Sequence, residues 1–219
     1  MLMVIGDVLD RHDLEALREA ADALDYEAGA ATAGRYARGV KANLQARPGP
    51  ELDAIFETVR AKLWASELFL SAARPRKVAR MLLSRYREGM AYGAHVDDPI
   101  MKGARTDLSF TRQLSPSDSY EGGGLVIEDP MEARVIRVEA GDMVLYPTSA
   151  LHRVEPVTAG ERMAVVGWIT SRVRSAEQRE VLHDLDVAAR AMFEAGGKTP
   201  GFDRLFKAKS NLYRMWAED

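Results

Sequence analysis

The stretch Asp142-Met143-Val144-Leu145-Tyr146-Pro147-Thr148-Ser149-Ala150-Leu151-His152-Arg153-Val154-Glu155-Pro156-Val157-Thr158-Ala159-Gly160-Glu161-Arg162 breaks short apolar runs with turn-forming residues. The Gly141-Asp142 turn announces a strand over Asp142 to Tyr146, and the Tyr146-Pro147 step punctuates it before a second strand over His152 to Val157. Thr158-Ala159-Gly160 then predicts a tight turn, which pairs His152 to Val157 with a strand over Arg162 to Arg172 as a hairpin. Runs of this length, split this way, are the signature of an antiparallel sandwich or barrel.

The same texture extends outward over 78–173, with further strands predicted at Ala79 to Tyr86, Leu108 to Leu114, Leu125 to Glu128 and Arg134 to Val138. Seven or eight strands suit a jelly roll. Helices flank them. Asp10 caps one that runs to about Leu24, and a second follows Pro50 from Glu51 to about Ala72, both carrying apolar residues at helical spacing. After the strands, Ser175 and Gln178 form a capping-box pair, and a helix runs to Gly196-Gly197. Thr199-Pro200 restarts the chain as a last helix whose Phe202, Leu205, Phe206, Leu212, Tyr213 and Trp216 share one face, predicted to pack on the barrel. The expected organisation is one compact unit that is mainly β with flanking helices: a helical cover with edge strands over 1–77, a catalytic core over 78–173 and a helical extension over 174–219.

Composition narrows the function. Thirty basic and 33 acidic residues leave a net charge of -3, so no global field draws the chain to nucleic acid or an anionic membrane. The expected partner is a small molecule or a peptide; oligomeric state is not written in the sequence. With no cysteine, any metal must be held by nitrogen and oxygen. Met1 to Leu9 is apolar but interrupted by Gly6 and Asp7, without a basic flank, which places the protein in the cytoplasm as an expectation.

Four histidines are present, and His95 stands two positions before Asp97 in an extended stretch, where residues i and i+2 share a face. His152 adds a third donor. Two imidazoles and one carboxylate make the facial triad of non-heme iron oxygenases, which leaves open positions on the ion; zinc hydrolysis uses the same three ligands. Arg162 bears on that choice. In the predicted hairpin it lies about 7 Å along from His152, an offset that suits a five-carbon diacid chelating iron at one end and meeting the guanidinium at the other. The plain alternative for Arg162 is a surface pair with Glu161 or Glu155, and for His95-Val96-Asp97 a solvated turn.

The runs Tyr92-Gly93-Ala94-His95-Val96-Asp97, Arg105-Thr106-Asp107-Leu108-Ser109, Tyr120-Glu121-Gly122-Gly123, Ala140-Gly141-Asp142, Leu145-Tyr146-Pro147 and Leu151-His152-Arg153-Val154 through Arg162 resemble the bacterial PKHD-type hydroxylases, relatives of prolyl and lysyl hydroxylases. Ala33-Gly34 and Lys41 to Gln45 fit as well, so the resemblance spans nearly the whole chain. It implies a double-stranded β-helix core and an iron(II)- and 2-oxoglutarate-dependent dioxygenase that releases succinate and CO2. By position it assigns His95, Asp97 and His152 to iron and Arg162 to 2-oxoglutarate, with O2 as co-substrate and L-ascorbate as an accessory. Asp97 fills the place that related halogenases leave for halide, so hydroxylation is the implied outcome. Related enzymes also carry a tyrosine near Tyr86 that donates to the co-substrate. Two departures, Gly124 after the glycine pair and Arg112-Gln113 on a strand that is usually more apolar, bear on pocket shape and substrate. The substrate reading is divided between a peptide and a siderophore-like small molecule, and a non-catalytic iron or 2-oxoglutarate sensor is the alternative function.

Lesser candidates weigh differently. Tyr146 and Trp168 read as pocket walls or simple core, Asp98 as a turn residue, and Asp107 as a partner that orients a ligand imidazole. His12 and His183 read as solvated, as does the basic run Arg74, Arg76, Lys77. Val40 to Gln45 alternates as a single strand, and its polar face, Lys41, Asn43 and Gln45, is expected to line the barrel mouth and hold substrate.

Overall fold

A computed structural model describes residues 1–6, 9–128 and 133–218. The strands are β1 (Met3–Ile5), β2 (Tyr26–Ala28), β3 (Lys41–Ala42), β4 (Leu44–Ala46), β5 (Pro75–Arg87), β6 (Ala91–His95), β7 (Ile100–Met101) and β8 (Ala104–Arg105). They continue as β9 (Leu108–Gln113), β10 (Tyr120–Gly122), β11 (Leu125–Glu128), β12 (Ala133–Ile136), β13 (Met143–Pro147), β14 (His152–Val154) and β15 (Val157–Ser171). The helices are α1 (Arg11–Asp22), α2 (Pro50–Ala65), α3 (Glu67–Ala73), α4 (Ala176–Gly196) and α5 (Pro200–Trp216).

Two main sheets enclose a cavity, and β7 pairs with β8 in a separate two-stranded sheet. The major sheet runs β1-β13-β9-β15-β5-β4-β2, with β10 added against β15, and the minor sheet runs β12-β11-β14-β6-β3. Every pairing in them is antiparallel, as the jelly-roll expectation requires. Most of the apolar core lies outside the cavity, between the major sheet and the helices: Phe110, Val165, Leu83 and Met143 meet Leu17, Val59, Leu63 and Phe69 there. A smaller cluster, including Leu125, Ile127, Val144 and Val154, fills part of the space between the sheets. Burial of apolar surface on the helix side stabilises the major sheet and leaves its other face free for polar work. Among the described residues no helix is long and apolar enough to cross a membrane.

Several expectations are corrected. Thr158-Ala159-Gly160 is no hairpin turn: it lies inside β15, and β14 and β15 belong to different sheets. Gly160 does take a positive φ of 73°, but the reason is the passing backbone, since a Cβ there would stand 2.3 Å from the Ser119 carbonyl oxygen. The chain changes sheets at Glu155-Pro156, between β14 and β15. Val40 to Gln45 likewise divides, with β3 joining the minor sheet through β6 and β4 joining the major sheet through β5. The helix expected over Glu51 to Ala72 breaks at Ser66, whose hydroxyl accepts from the Phe69 backbone N–H at 3.2 Å and starts α3.

At the C-terminus α5 packs on α4 rather than on the barrel, with Phe202 and Phe193 ring centroids 5.3 Å apart, and none of its side chains is fully buried. His183 is buried, not solvated: its Nδ1 lies 2.9 Å from the Ser71 hydroxyl, which ties α4 to α3. Arg74 is ion-paired with Asp186 on α4, whereas Arg76 and Lys77 are exposed as expected. Asp107 touches no histidine. It accepts from Arg105 Nε at 2.8 Å and from the Ser171 backbone N–H at 2.8 Å, clamping two strands of the wall.

Candidate active site

A cavity of about 370 Å³ opens between the sheets. Its floor on the minor sheet is built by β6 and β14, where His95 and His152 are direct cross-strand partners. Pairing fixes both imidazoles on one face, and Asp97, two residues past the first histidine, reaches the same point. The Asp97 carboxylate lies 3.8 Å from His95 Nε2 and 3.7 Å from His152 Nε2. One ligand atom from each of the three falls within 4.8 Å of the others, a span that one ion can bridge.

The ring orientations are set by the backbone. His95 Nδ1 donates to the Gly93 carbonyl at 2.9 Å, and His152 Nδ1 donates to the Ala150 carbonyl at 3.0 Å. A carbonyl only accepts, so each Nδ1 carries the proton and each Nε2 turns a lone pair to the common centre. Burial, reinforced by the neighbouring His152, holds His95 down to about 4 and keeps it in the neutral form a metal needs. Ser109 on β9 donates to Asp97 Oδ2 at 2.8 Å, which fixes the carboxylate from the opposite sheet. Tyr92 stacks on His95 with centroids 3.6 Å apart, and Tyr146 meets His152 edge-on at 5.1 Å. This donor set fits a metal that prefers imidazole and carboxylate. The other grouping of donors, Asp10, His12 and Asp13, has exposed Asp10 and His12, and Asp10 is already engaged in capping α1.

Arg162 rises from β15 on the major sheet, across the cavity from the two histidines. It therefore reaches the site from the opposite wall, not from a neighbouring strand of a hairpin. It is 3% exposed and makes no ion pair among the described residues. Its guanidinium lies 5.5 Å from the ring centroid of Tyr86, its cross-strand partner on β5. Burial pushes the Tyr86 hydroxyl up to about 12, against the pull of Arg162 and the Asn43 amide. Space for Arg162 depends on Gly123, at φ 62°, because a Cβ there would press to 3.1 Å from the arginine Cδ. A buried, unpaired guanidinium is costly unless a carboxylate meets it. Buried Tyr146 stands between the two halves of the site: Asp97 helps burial push its hydroxyl up while Arg162 pulls it down.

Lys41, Asn43 and Gln45 all line the cavity, but as buried wall, at 9%, 4% and 3% exposure, rather than at its mouth. Neither side-chain polar atom of Asn43 has a hydrogen-bond partner, nor has Gln45 Nε2. Asn43 sits beside Tyr86, whereas Lys41 Nζ lies 5.0 Å from the ring centroid of Tyr92, next to His95. Ser109, Thr111 and Arg80 are among the cavity residues outside the sequence reading of the site: Ser109 and Thr111 alternate with the apolar Leu108 and Phe110, and that alternation is their signal, while Arg80 lies on a strand whose partners the sequence does not show.

A family model described as the 2OG-Fe(II) oxygenase superfamily matches residues 81–170, a range that includes His95, Asp97, His152 and Arg162. The chain is 48% identical over 219 residues to a PKHD-type hydroxylase of Maricaulis maris, with all of both chains covered. A PKHD-type hydroxylase of Parvibaculum lavamentivorans is 52% identical over 194 residues, covering 89% of this chain and 88% of that one. Among solved structures, a Pseudomonas putida prolyl-4-hydroxylase superposes with a TM-score of 0.52 at 20% identity, covering 78% of this chain and 92% of the other, a likeness of fold.

Proposed function

From a chain that belongs to the PKHD-type hydroxylases, we propose that His95, Asp97 and His152 hold iron(II) and that Arg162, with Tyr86 beside it, holds the far carboxylate of 2-oxoglutarate. The chain is an iron(II)- and 2-oxoglutarate-dependent hydroxylase whose substrate is a small molecule or a peptide. Iron(II), when bound, supplies the oxidative chemistry that couples loss of CO2 from 2-oxoglutarate to hydroxylation of a C–H bond, with succinate as coproduct.

What the protein contributes is geometry and charge. The Gly93 and Ala150 carbonyls hold the two imidazoles in the ligating tautomer, and Ser109 holds Asp97. The observation that carries the co-substrate assignment is Arg162: a 3%-exposed cation with no acidic partner among the described residues, facing the same cavity as three convergent ligand atoms. A dicarboxylate would satisfy both ends at once, with oxygens for the metal at one end and a partner for the Arg162 guanidinium at the other. A zinc hydrolase has no use for that second end.

Calorimetric titration of the metal-loaded protein tests the assignment. Arg162→Ala should weaken 2-oxoglutarate binding at least about tenfold, the loss expected for a charge-assisted bidentate pair, while metal affinity stays as in the parent. Unchanged 2-oxoglutarate affinity would remove Arg162 from the site. Catalytic consumption of 2-oxoglutarate, seen as substrate-stimulated succinate release, separates an enzyme from a sensor built on the same fold.

A further inference from the structure

Once metal and co-substrate are assigned as above, the charges lining the cavity do not balance. Iron(II), Asp97, dianionic 2-oxoglutarate and Arg162 cancel one another. Arg35, Lys41 and Arg80 then face the cavity with only Asp98 against them. This excess is local, because the chain as a whole carries a net charge of -3.

The excess is also placed. On the cavity face of the major sheet, β15 pairs with β5 so that Arg162 stands opposite Tyr86 and Trp168 stands opposite Arg80. Six residues separate the two pairs, about 20 Å of extended chain. Trp168 in turn pairs across β9 with Ser109, the residue that holds Asp97. Arg80 and Trp168 thus mark the metal-side end of the wall, well away from the Arg162 end.

Among the described residues no carboxylate pairs with these groups. The Trp168 indole N–H is buried, lines the cavity and has no hydrogen-bond partner, and the residue is only 8% exposed. Arg80 is half-buried and makes no ion pair among the described residues. Lys41, buried across the cavity on β3, donates to the neutral Thr32 hydroxyl at 2.9 Å and makes no ion pair among the described residues. Arg80 and Lys41 line the same cavity from opposite walls, β5 and β3. Two cations without an acidic partner and a free indole N–H, lining one cavity, are a complement to an oxyanion.

We propose that the substrate of this hydroxylase is an acid, whose carboxylate is held by Arg80, Lys41 and the Trp168 indole N–H on the metal side of the cavity. The proposal rests on the assignment of Arg162 to 2-oxoglutarate, since that assignment keeps the co-substrate at the other end of the wall. Arg80 and Trp168 would then set both the class of substrate and the position of its reactive carbon relative to the metal.

The test uses the full-length protein loaded anaerobically with iron(II) and 2-oxoglutarate, read through the visible charge-transfer absorption of the chelate and, after oxygen is admitted, through succinate release. The probes are matched pairs of free acid and carboxamide, drawn from hydroxy acids, amino acids and short peptides. Acids should perturb the absorption and stimulate succinate release, while their amides do so at least about tenfold more weakly, the discrimination expected of a charge-assisted contact. In Arg80→Gln that preference should vanish while 2-oxoglutarate affinity stays as in the parent, and Trp168→Phe should weaken acid binding with the same co-substrate affinity. Which acids respond tells a small-molecule source from a peptide C-terminus. Equal response to acid and amide, no response to any acid, or an acid preference that survives Arg80→Gln would each overturn the proposal. Failure of the parent protein to form the chelate absorption would instead sink the underlying assignment of the site.

Discussion

The two faces of the major sheet do opposite things with the same strands. On β9 all six residues are buried, yet Leu108 and Phe110 join the apolar core against the helices while Ser109 and Thr111 line the cavity. β15 divides likewise: Met163, Val165 and Ile169 turn outward to the helices, and Arg162, Val166 and Trp168 turn inward to the site. Burial alone therefore does not distinguish scaffold from site in this protein. Partnership says more, because some inward polar groups hold a residue of the proposed metal site, as Ser109 does, and others are left without partners, as Trp168 Nε1 is. The helices stabilise one face, and that is what permits the other to hold groups whose partners arrive only with ligands.

Variants on the two faces should separate stability from chemistry. The largest effect belongs to the proposed metal ligands: His95→Ala, Asp97→Ala or His152→Ala should abolish succinate production with little change in melting temperature, and activity retained in His152→Ala would break the comparison at once. Next is Phe110→Ala on the helix face, expected to cost about 3–5 kcal/mol by opening a core cavity. Denaturant unfolding should show that loss, while protein still folded binds metal as the parent does. Ser109→Ala, one residue away on the opposite face, should reverse the pattern: near-parental stability with metal affinity about 10–100-fold weaker, because the Asp97 carboxylate loses its tether.

Arg112 sharpens the comparison further, because it is a charge on the wrong face. It stands in the row Ile5, Met143, Arg112, Val165, Leu83, fully buried, with none of its three side-chain nitrogens hydrogen-bonded, and burial draws it down to about 10. Its desolvation is uncompensated in the apolar core. Arg112→Met is expected to stabilise the fold by about 1 kcal/mol or more, by the reasoning that apolar replacements of buried charges are often favourable. A lower unfolding midpoint in Arg112→Met would show that the guanidinium has a structural function its surroundings do not reveal.

Much of this was legible in the chain, and the failures share one cause. Helix caps, strand runs and the His95-Val96-Asp97 spacing depend on residues close in sequence, and those readings agree with the structure; His152, far along the chain, is brought to them by the β6–β14 pairing. Which sheet a strand joins depends on partners far away. Thr158-Ala159-Gly160 has the composition of a hairpin turn, yet Gly160 takes its left-handed conformation because Ser119 passes against it. Lys41 and Gln45 alternate as one strand would, but the chain crosses from one sheet to the other between them. Arg162 reached the site in the reading by a hairpin that does not exist, and reaches it in the structure from the opposite wall. Ser66 is a visible cap signal that an apolar period running through it concealed.

The central claim is that one cavity holds a metal at His95, Asp97 and His152 on one sheet and the far carboxylate of 2-oxoglutarate at Arg162 on the other. It is tested most directly by a crystal structure of the protein with manganese(II) and 2-oxoglutarate, the metal located by its anomalous scattering. The account predicts one anomalous peak bounded by the Nε2 atoms of His95 and His152 and the Asp97 carboxylate, with the distal carboxylate of 2-oxoglutarate against Arg162 and Tyr86. A peak at Asp10, His12 and Asp13 instead, or a distal carboxylate seated on Lys41 and Arg80, would contradict it.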